Sequence, residues 1–355
     1  MSVLKKVLYI GWIGFGNLGD ELLWNVFKEL NKHYNYSTKI EIVPSLPGVD
    51  INHTEEYDTV ILGGGSLLLP GYMAALKQAI DLGKDVFIWG SGLDWITKEQ
   101  LDIINSGQSL SLEKTFTEKD IILFRETLEK AAFVGVRGPI TKKVLETFGI
   151  NSDKVKLIGD PGILLNPPAV IRKKEKIAAI NWGTTFNRLY GQDEAAIENA
   201  LLQVSKKLIK SGYKILLYVV WGSDREASKR LYDKLNDPLN VTYDPSLYSE
   251  EELIEKLSVC SLSINFKLHA NILSLAGNVP CIALGYRFKV FDLFQSLGLE
   301  NLVVSTDSDT LALDIMEGIR EIELNNEKII EQYKNRKEHF SPLIIEPIKN
   351  NFTVD

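Results

Sequence analysis

The chain has 355 residues, a length that suits two domains, and its 45% apolar and 25% charged content is that of a water-soluble globular fold. A net charge of −7 leaves no basic excess to neutralise a phosphate backbone, which disfavours a general nucleic-acid binder and leaves room only for local basic pockets. The two cysteines and four histidines show no paired spacing, so neither a disulfide framework nor a zinc site is expected. Cys260 and Cys281 lie in apolar runs and read as core residues. No motif for any other metal is seen.

In chain order, strand-like runs fall at 7–12, 39–44, 59–63, 85–90, 133–137 and 155–159. Their nearly continuous β-branched character suits strands covered on both faces. The first run passes straight into a glycine-rich turn, so the N-terminus is expected to be a strand and not a signal peptide. A helix follows, with Leu22, Leu23, Val26, Phe27 and Leu30 on one face. Helical segments at about 97–131 elaborate this half, and another helix opens at Pro139 and stops at Gly149. At 166–176 the stretch NPPAVIRKKEK reads as a linker.

The alternation then restarts, with strands expected at 177–182, 215–221, 262–266, 281–285 and 302–304. Helices fill the gaps at about 193–211, 223–236, 249–259, 267–277 and 287–297, and a long charged helical region closes the chain at about 308–340. Two uncharged stretches, 59–76 and 270–286, are broken by Gly63, Gly64, Gly65 and Pro70, and by Gly277, Asn278 and Pro280. They fit strand–helix junctions better than membrane spans. A cytoplasmic location is expected, with attachment to the inner membrane face left open. The expected fold class is α/β: two doubly wound Rossmann-like domains facing a cleft, over 1–168 and 175–355, the second carrying the long C-terminal helical region. Ligands of such sheets bind beyond the carboxyl ends of the strands.

The motifs lie there. GFGNLGDE, residues 14–21, spells G-x-G-x-x-G at Gly14, Gly16 and Gly19. A dinucleotide site also wants an acid at the end of the next strand, but Glu41 sits in the middle of KIEIVPS. Asp20 and Glu21 further place negative charge where a pyrophosphate would bind. Asp20 reads either as a helix N-cap or as a catalytic carboxylate. ILGGGSLL, residues 61–68, allows close backbone approach at Gly64, Gly65 and Ser66, or serves as a tight junction. Arg137 closes the strand of FVGVRGPITKKVLETFG, either as an anion clamp or in an ion pair. Asp160 in LIGDPGILL is a candidate site residue or an Asx turn. Asn181, Thr184 and Arg188 fall in the loop NWGTTFNRLYG. Lys267 and His269 open a helix, a place that suits an anion.

Taken together and in this order, GFGNLGDE, ILGGGSLL, VRGPITKKVLETFGI with GDPGILL, and KLHANILSLAGNVPCIALGYRFKVFDLFQSLGL resemble the polysaccharide pyruvyl transferase family. The resemblance implies a fold similar to the two-domain GT-B glycosyltransferases. It implies transfer of a pyruvyl group from phosphoenolpyruvate to a sugar of a cell-surface polysaccharide or its precursor, usually as a cyclic ketal. Phosphoenolpyruvate is then a co-substrate and no cofactor is needed. The family's Arg-Leu-His motif falls on Lys267, Leu268 and His269, so a lysine replaces the arginine and its bidentate fork is lost. The family arginine near the end of the first domain corresponds to Arg137.

On this resemblance Arg137, Lys267 and Leu268 hold phosphoenolpyruvate, joined by Arg287 from the anion-suited loop ALGYRFKVFDLF. His269 sits at the phosphate or acts as acid and base, and Asp20 is a candidate general base. Gly16, Asn17, Gly64, Gly65, Ser66, Asp160 and Asn181 line the cleft or the acceptor side, which the first domain would form, with the donor side in the second. The partner is a sugar acceptor, free, nucleotide-linked or lipid-linked. Two other readings stay open, a GT-B glycosyltransferase using a nucleotide sugar and a non-catalytic carbohydrate-binding relative.

Overall fold

Apolar runs with no polar interruption become strands buried on both faces: Val7, Leu8, Tyr9 and Ile10 are at most 1% exposed. The structure, a computed structural model, describes residues 5–34, 40–108, 115–168, 170, 172–191 and 193–351. Lys39 of the second expected strand, 109–114 of the expected helical elaboration, and 169 and 171 of the expected linker lie outside the described residues, as do 352–355 of the expected second domain.

The chain forms two compact units. The first comprises the described residues of 1–15, 20–164 and 337–355, and the second comprises those of 16–19 and 165–336. In the first, the elements run β1 (Lys5–Ile10), α1 (Leu18–Tyr34), β2 (Ile40–Pro44), β3 (Thr59–Leu62), α2 (Pro70–Asp81), β4 (Asp85–Ser91), α3 (Lys98–Ser106), α4 (Glu118–Lys130), β5 (Phe133–Val136), α5 (Pro139–Thr147) and β6 (Val155–Leu157). Leu22, Leu23 and Phe27 of α1 are buried, as its apolar face requires. Thr97 and Thr117 cap α3 and α4 in capping boxes, and Pro139 fills the first turn of α5. The strands are parallel in the order β2-β1-β3-β4-β5-β6, so the winding reverses between β1 and β3.

The second unit runs β7 (Glu175–Asn181), α6 (Glu194–Lys210), β8 (Lys214–Tyr218), α7 (Arg225–Leu235), β9 (Val241–Asp244), α8 (Glu250–Leu257), β10 (Cys260–Asn265), α9 (Leu268–Ala276), β11 (Cys281–Gly285), α10 (Phe288–Leu297), β12 (Val303–Ser305) and α11 (Leu311–Asn351). Its parallel order, β12-β11-β10-β7-β8-β9, reverses between β7 and β10. Both cysteines are buried free thiols. No helix among the described residues is long and apolar enough to cross a membrane.

Three features differ from expectation. Strand β9 lies outside the expected strands, because it is an edge strand in which Thr242 and Asp244 interrupt any apolar run. The closing helix reaches Asn351, with a kink at Asn325 and Pro342 and Pro347 inside it. From Lys337 onward it belongs to the first unit, whereas the expected division gave 175–355 to the second. The reason is packing: Phe340, Ile344 and Ile348 are at most 2% exposed, and Trp89 Nε1 donates to the Ile344 carbonyl at 2.9 Å. Replacing Phe340 with alanine is expected to destabilise the protein by about 3–5 kcal/mol in guanidinium denaturation. An unchanged midpoint would show that this segment contributes little to the first unit's core.

Candidate functional site

In the second unit, the carboxyl ends of β7 and β10 meet at the reversal of strand order. Asn181 closes β7, is fully buried, and spends its amide on backbone: Oδ1 accepts from Lys267 N at 2.9 Å and Nδ2 donates to the Tyr218 carbonyl at 3.2 Å. It thereby fixes the ends of β7, β8 and β10 relative to one another. Lys267 immediately precedes α9 and turns its ammonium inward. Nζ lies 3.1 Å from Asp224 Oδ1, donates to the Thr184 carbonyl at 2.5 Å, and sits 4.9 Å from the centre of the Trp221 ring.

Asp224 is fully buried, and Oδ1 also accepts from Thr184 N at 3.1 Å. Burial pushes its carboxyl up from the ordinary 3.8 to about 6, against the opposing pull of Lys267. Residue 183 must be glycine here, since a Cβ would stand 2.0 Å from Asp224 Oδ1.

His269 occupies the first turn of α9 and is 8% exposed. Its ring packs on Gly19, where a Cβ would stand 2.5 Å from Nδ1. The third glycine of the opening turn therefore makes room for the histidine. The same segment is knitted to the end of β8: Leu18 N donates to the Val220 carbonyl at 2.9 Å, and Asn17 bridges to Trp221. Asn17 also caps α1, Oδ1 accepting from Gly19 N at 3.1 Å. Asp20 lies inside the first turn, so the expected capping role belongs to Asn17 instead.

In the first unit, the residues after β1, β3, β4 and β5 converge. Asp20 Oδ1 lies 3.4 Å from where a Cβ on Gly65 would be, which joins the GFGNLGDE and ILGGGSLL motifs. The phenols of Tyr9 and Tyr72 are both pushed up, first by burial and then by the Asp20 charge. Gly65 and Ser91 bridge in parallel, and Arg137 N donates to the Ser91 carbonyl at 3.0 Å. The Arg137 side chain is 1% exposed. Nη2 donates to Ser66 Oγ at 3.2 Å, and Nη1 lies 3.9 Å from Asp160 Oδ2. Asp160 is equally buried and forms the Asx turn, Oδ1 accepting from Gly162 N at 2.8 Å.

The expected site residues thus divide between two clusters. Gly16, Asn17, Asn181, Lys267, Leu268, His269 and Arg287 belong to the second unit, and Asp20, Gly64, Gly65, Ser66, Arg137 and Asp160 to the first. Leu268 is a core side chain at 4% exposure. Arg287 precedes α10, half-buried, with its guanidinium 5.6 Å from the Tyr286 ring centre. Lys267 was expected to grip an anion, yet its ammonium is engaged by Asp224. Asp224 itself went unnoticed in the sequence. In VVWGSD it stands just beyond an apolar strand, a position that does not by itself set it apart from other acids.

Two parallel six-stranded α/β sheets, each doubly wound, define a GT-B-like protein. Solved structures of that class match along almost the whole chain. The putative UDP-N-acetylglucosamine 2-epimerase of Listeria monocytogenes has a TM-score of 0.63 at 10% identity, over 99% of this chain and 97% of that one. HepE of Anabaena, solved with UDP and glucose, has a TM-score of 0.55 at 10% identity, over 98% of each chain. At such identity the likeness concerns fold alone.

Within that class, the polysaccharide pyruvyl transferase model matches residues 17–287, and the chain belongs to this family. The amylovoran biosynthesis protein AmsJ of Erwinia amylovora is 24% identical over 281 residues. That match takes in 72% of this chain and 63% of the length of AmsJ.

Because Asp224 binds its proton more tightly folded than unfolded, its contribution to stability is full below about pH 4 and is lost as the pH rises through about 6. Stability relative to Asp224→Asn should therefore fall by about 3 kcal/mol over that window, measured by denaturation at stepped pH. A flat difference would contradict the burial of a titrating carboxyl.

Proposed function

We propose that the protein transfers the pyruvyl group of phosphoenolpyruvate to a sugar of a cell-surface polysaccharide or its precursor, releasing phosphate. The observation that carries this reading is His269, the histidine of the family motif, held in the first turn of α9 beside the switch point and seated on Gly19. An imidazole can both donate and accept a proton, which suits it to acid–base work. No cofactor enters the scheme.

The chemistry asks for an acid, a base and cations. Protonation of the methylene carbon makes it a methyl group and gives the neighbouring carbon oxocarbenium character. A sugar hydroxyl adds there and gives up its proton. A second hydroxyl of the sugar then forms the ketal's other C–O bond as the bond to phosphate breaks, and its proton leaves with phosphate or returns to the acid. We assign the proton transfers at the donor to His269 and that of the sugar hydroxyl to Asp20.

Lys267 is a positioning residue in this scheme. With its charge engaged by Asp224, it holds the strand ends, and the donor's negative charge draws on Arg287 and the start of α9. Arg137, with no more than 1% of its side chain exposed, supports the loop at Ser66. The protein acts in the cytoplasm on this reading, where phosphoenolpyruvate is made.

Incubation with phosphoenolpyruvate and a panel of sugars, followed by phosphate release, tests the reaction. His269→Ala should lower kcat by roughly 10²–10⁴-fold while phosphoenolpyruvate still raises the melting temperature. Asp20→Asn should keep stability and lose transfer. Near-normal turnover by folded His269→Ala, or thermal stabilisation by UDP- or GDP-sugars and not by phosphoenolpyruvate, would overturn the assignment.

A further inference from the structure

We propose that Phe186 and Trp221 form a stacking subsite for a sugar ring of the acceptor, an inference that rests on the saccharide acceptor proposed above. Phe186 and Asn187 follow β7, and both adopt left-handed backbone, each with φ of 56°. Side-chain-bearing residues rarely take that conformation, a bulky aromatic least of all. The loop is forced into it. Glu194 Oε1 accepts from Thr185 N at 2.5 Å and from Asn187 N at 3.1 Å, and the Glu194 carboxylate accepts from Thr184 Oγ1 at 3.0 Å. Asn187 Oδ1 returns a bond by accepting from Glu194 N at 3.0 Å, and Phe186 N donates to Thr184 Oγ1 at 2.9 Å.

The outcome is unusual for a phenylalanine. The residue is 65% exposed, and its ring is held edge-to-face at 6.2 Å and 87° against Trp221, the residue whose ring covers Lys267. Backbone strain maintained by a polar scaffold, to present an apolar ring at the ligand edge of the sheet, points to a ligand that uses the ring. A phosphate or carboxylate has no use for it. A pyranose presents an apolar C–H face to stack on the ring and a rim of hydroxyls. Thr185, Asn187 and the exposed Arg188 flank Phe186 with donors and acceptors suited to that rim. The rings meet at right angles and make no parallel slot, an arrangement that favours a sugar over a flat nucleobase.

Saturation-transfer NMR on the full chain tests this, with methyl β-D-galactopyranoside, methyl β-D-glucopyranoside and uridine monophosphate as separate probes. The wild type should saturate the ring C–H protons of at least one glycoside. Phe186→Tyr should retain that binding, and Phe186→Gly should weaken it about tenfold. Phe186→Gly should nonetheless melt no lower than wild type, because glycine adopts positive φ without strain. Equal glycoside affinity in Phe186→Gly, saturation of uridine monophosphate alone, or no saturation of either glycoside by wild type would overturn the subsite. Phosphoenolpyruvate-induced thermal stabilisation, measured on the same three proteins, separates the two claims. If it persists while glycoside binding is independent of Phe186, pyruvyl transfer stands and the subsite falls. Its absence from all three would fail pyruvyl transfer and leave the glycoside result to decide the subsite.

Discussion

A half-buried lysine ammonium held against a fully buried aspartate, at the point where strand order reverses, is the interaction on which this edge of the second unit depends. Lys267 and Asp224 stand 3.1 Å apart, with Asp224 fully excluded from water. Two charges taken out of water are stable only when their remaining hydrogen-bonding capacity is met. The surroundings do this in part, through backbone: the Thr184 carbonyl accepts from Lys267 and Thr184 N donates to Asp224 Oδ1, while Asp224 Oδ2 is buried with no hydrogen-bond partner among the described residues. The ends of β7, β8 and β10 are thereby tied together, and Asn181 ties them again. His269 lies in the first turn of α9, two residues beyond Lys267, so the pair that fixes Lys267 also fixes the histidine. A lysine in place of the family arginine is consistent with this use, since a compact ammonium fits one carboxylate and one carbonyl without the guanidinium's wider fork.

The first unit manages its buried charge differently. Arg137 and Asp160 are both at most 1% exposed, and their closest approach is 3.9 Å. Ser66 shares the guanidinium, which links the glycine loop after β3 to the end of β5. Asp20 is half-buried at this edge, set over Gly65 with the phenols of Tyr9 and Tyr72 responding to its charge. Polar groups committed to architecture and a carboxylate kept partly accessible are what a working site needs in combination.

The fold was legible because parallel strands buried on both faces write themselves as unbroken apolar runs. Most of the strands follow from such runs, although Glu41 interrupts β2 and Lys156 interrupts β6, whereas β9, with only Val241, Thr242, Tyr243 and Asp244, does not announce itself. The last third of α11 was assigned to the wrong body because a charged amphipathic pattern states that a face will be buried and is silent about which body covers it; the Trp89–Ile344 bond spans 255 residues. In the site, Lys267, His269 and Asn181 could be found by position after strands. Asp224 and Glu194 could not be ranked above other acids, since what distinguishes them is burial and the partners the fold brings to them. The glycine turn is the clearest case: a cofactor fingerprint in spelling, it seats a histidine 250 positions further along the chain, and no local pattern encodes that contact.

The claim that a buried ion pair organises this edge is tested most directly by a double-mutant cycle on Lys267→Met and Asp224→Leu at pH 7.5, read by chemical denaturation. Each single replacement leaves one buried charge without its partner and should destabilise by roughly 3–5 kcal/mol. The double replacement substitutes apolar bulk for both charges and should recover most of that loss, giving a coupling energy of at least about 2 kcal/mol. Additive losses, with a coupling energy near zero, would contradict the account.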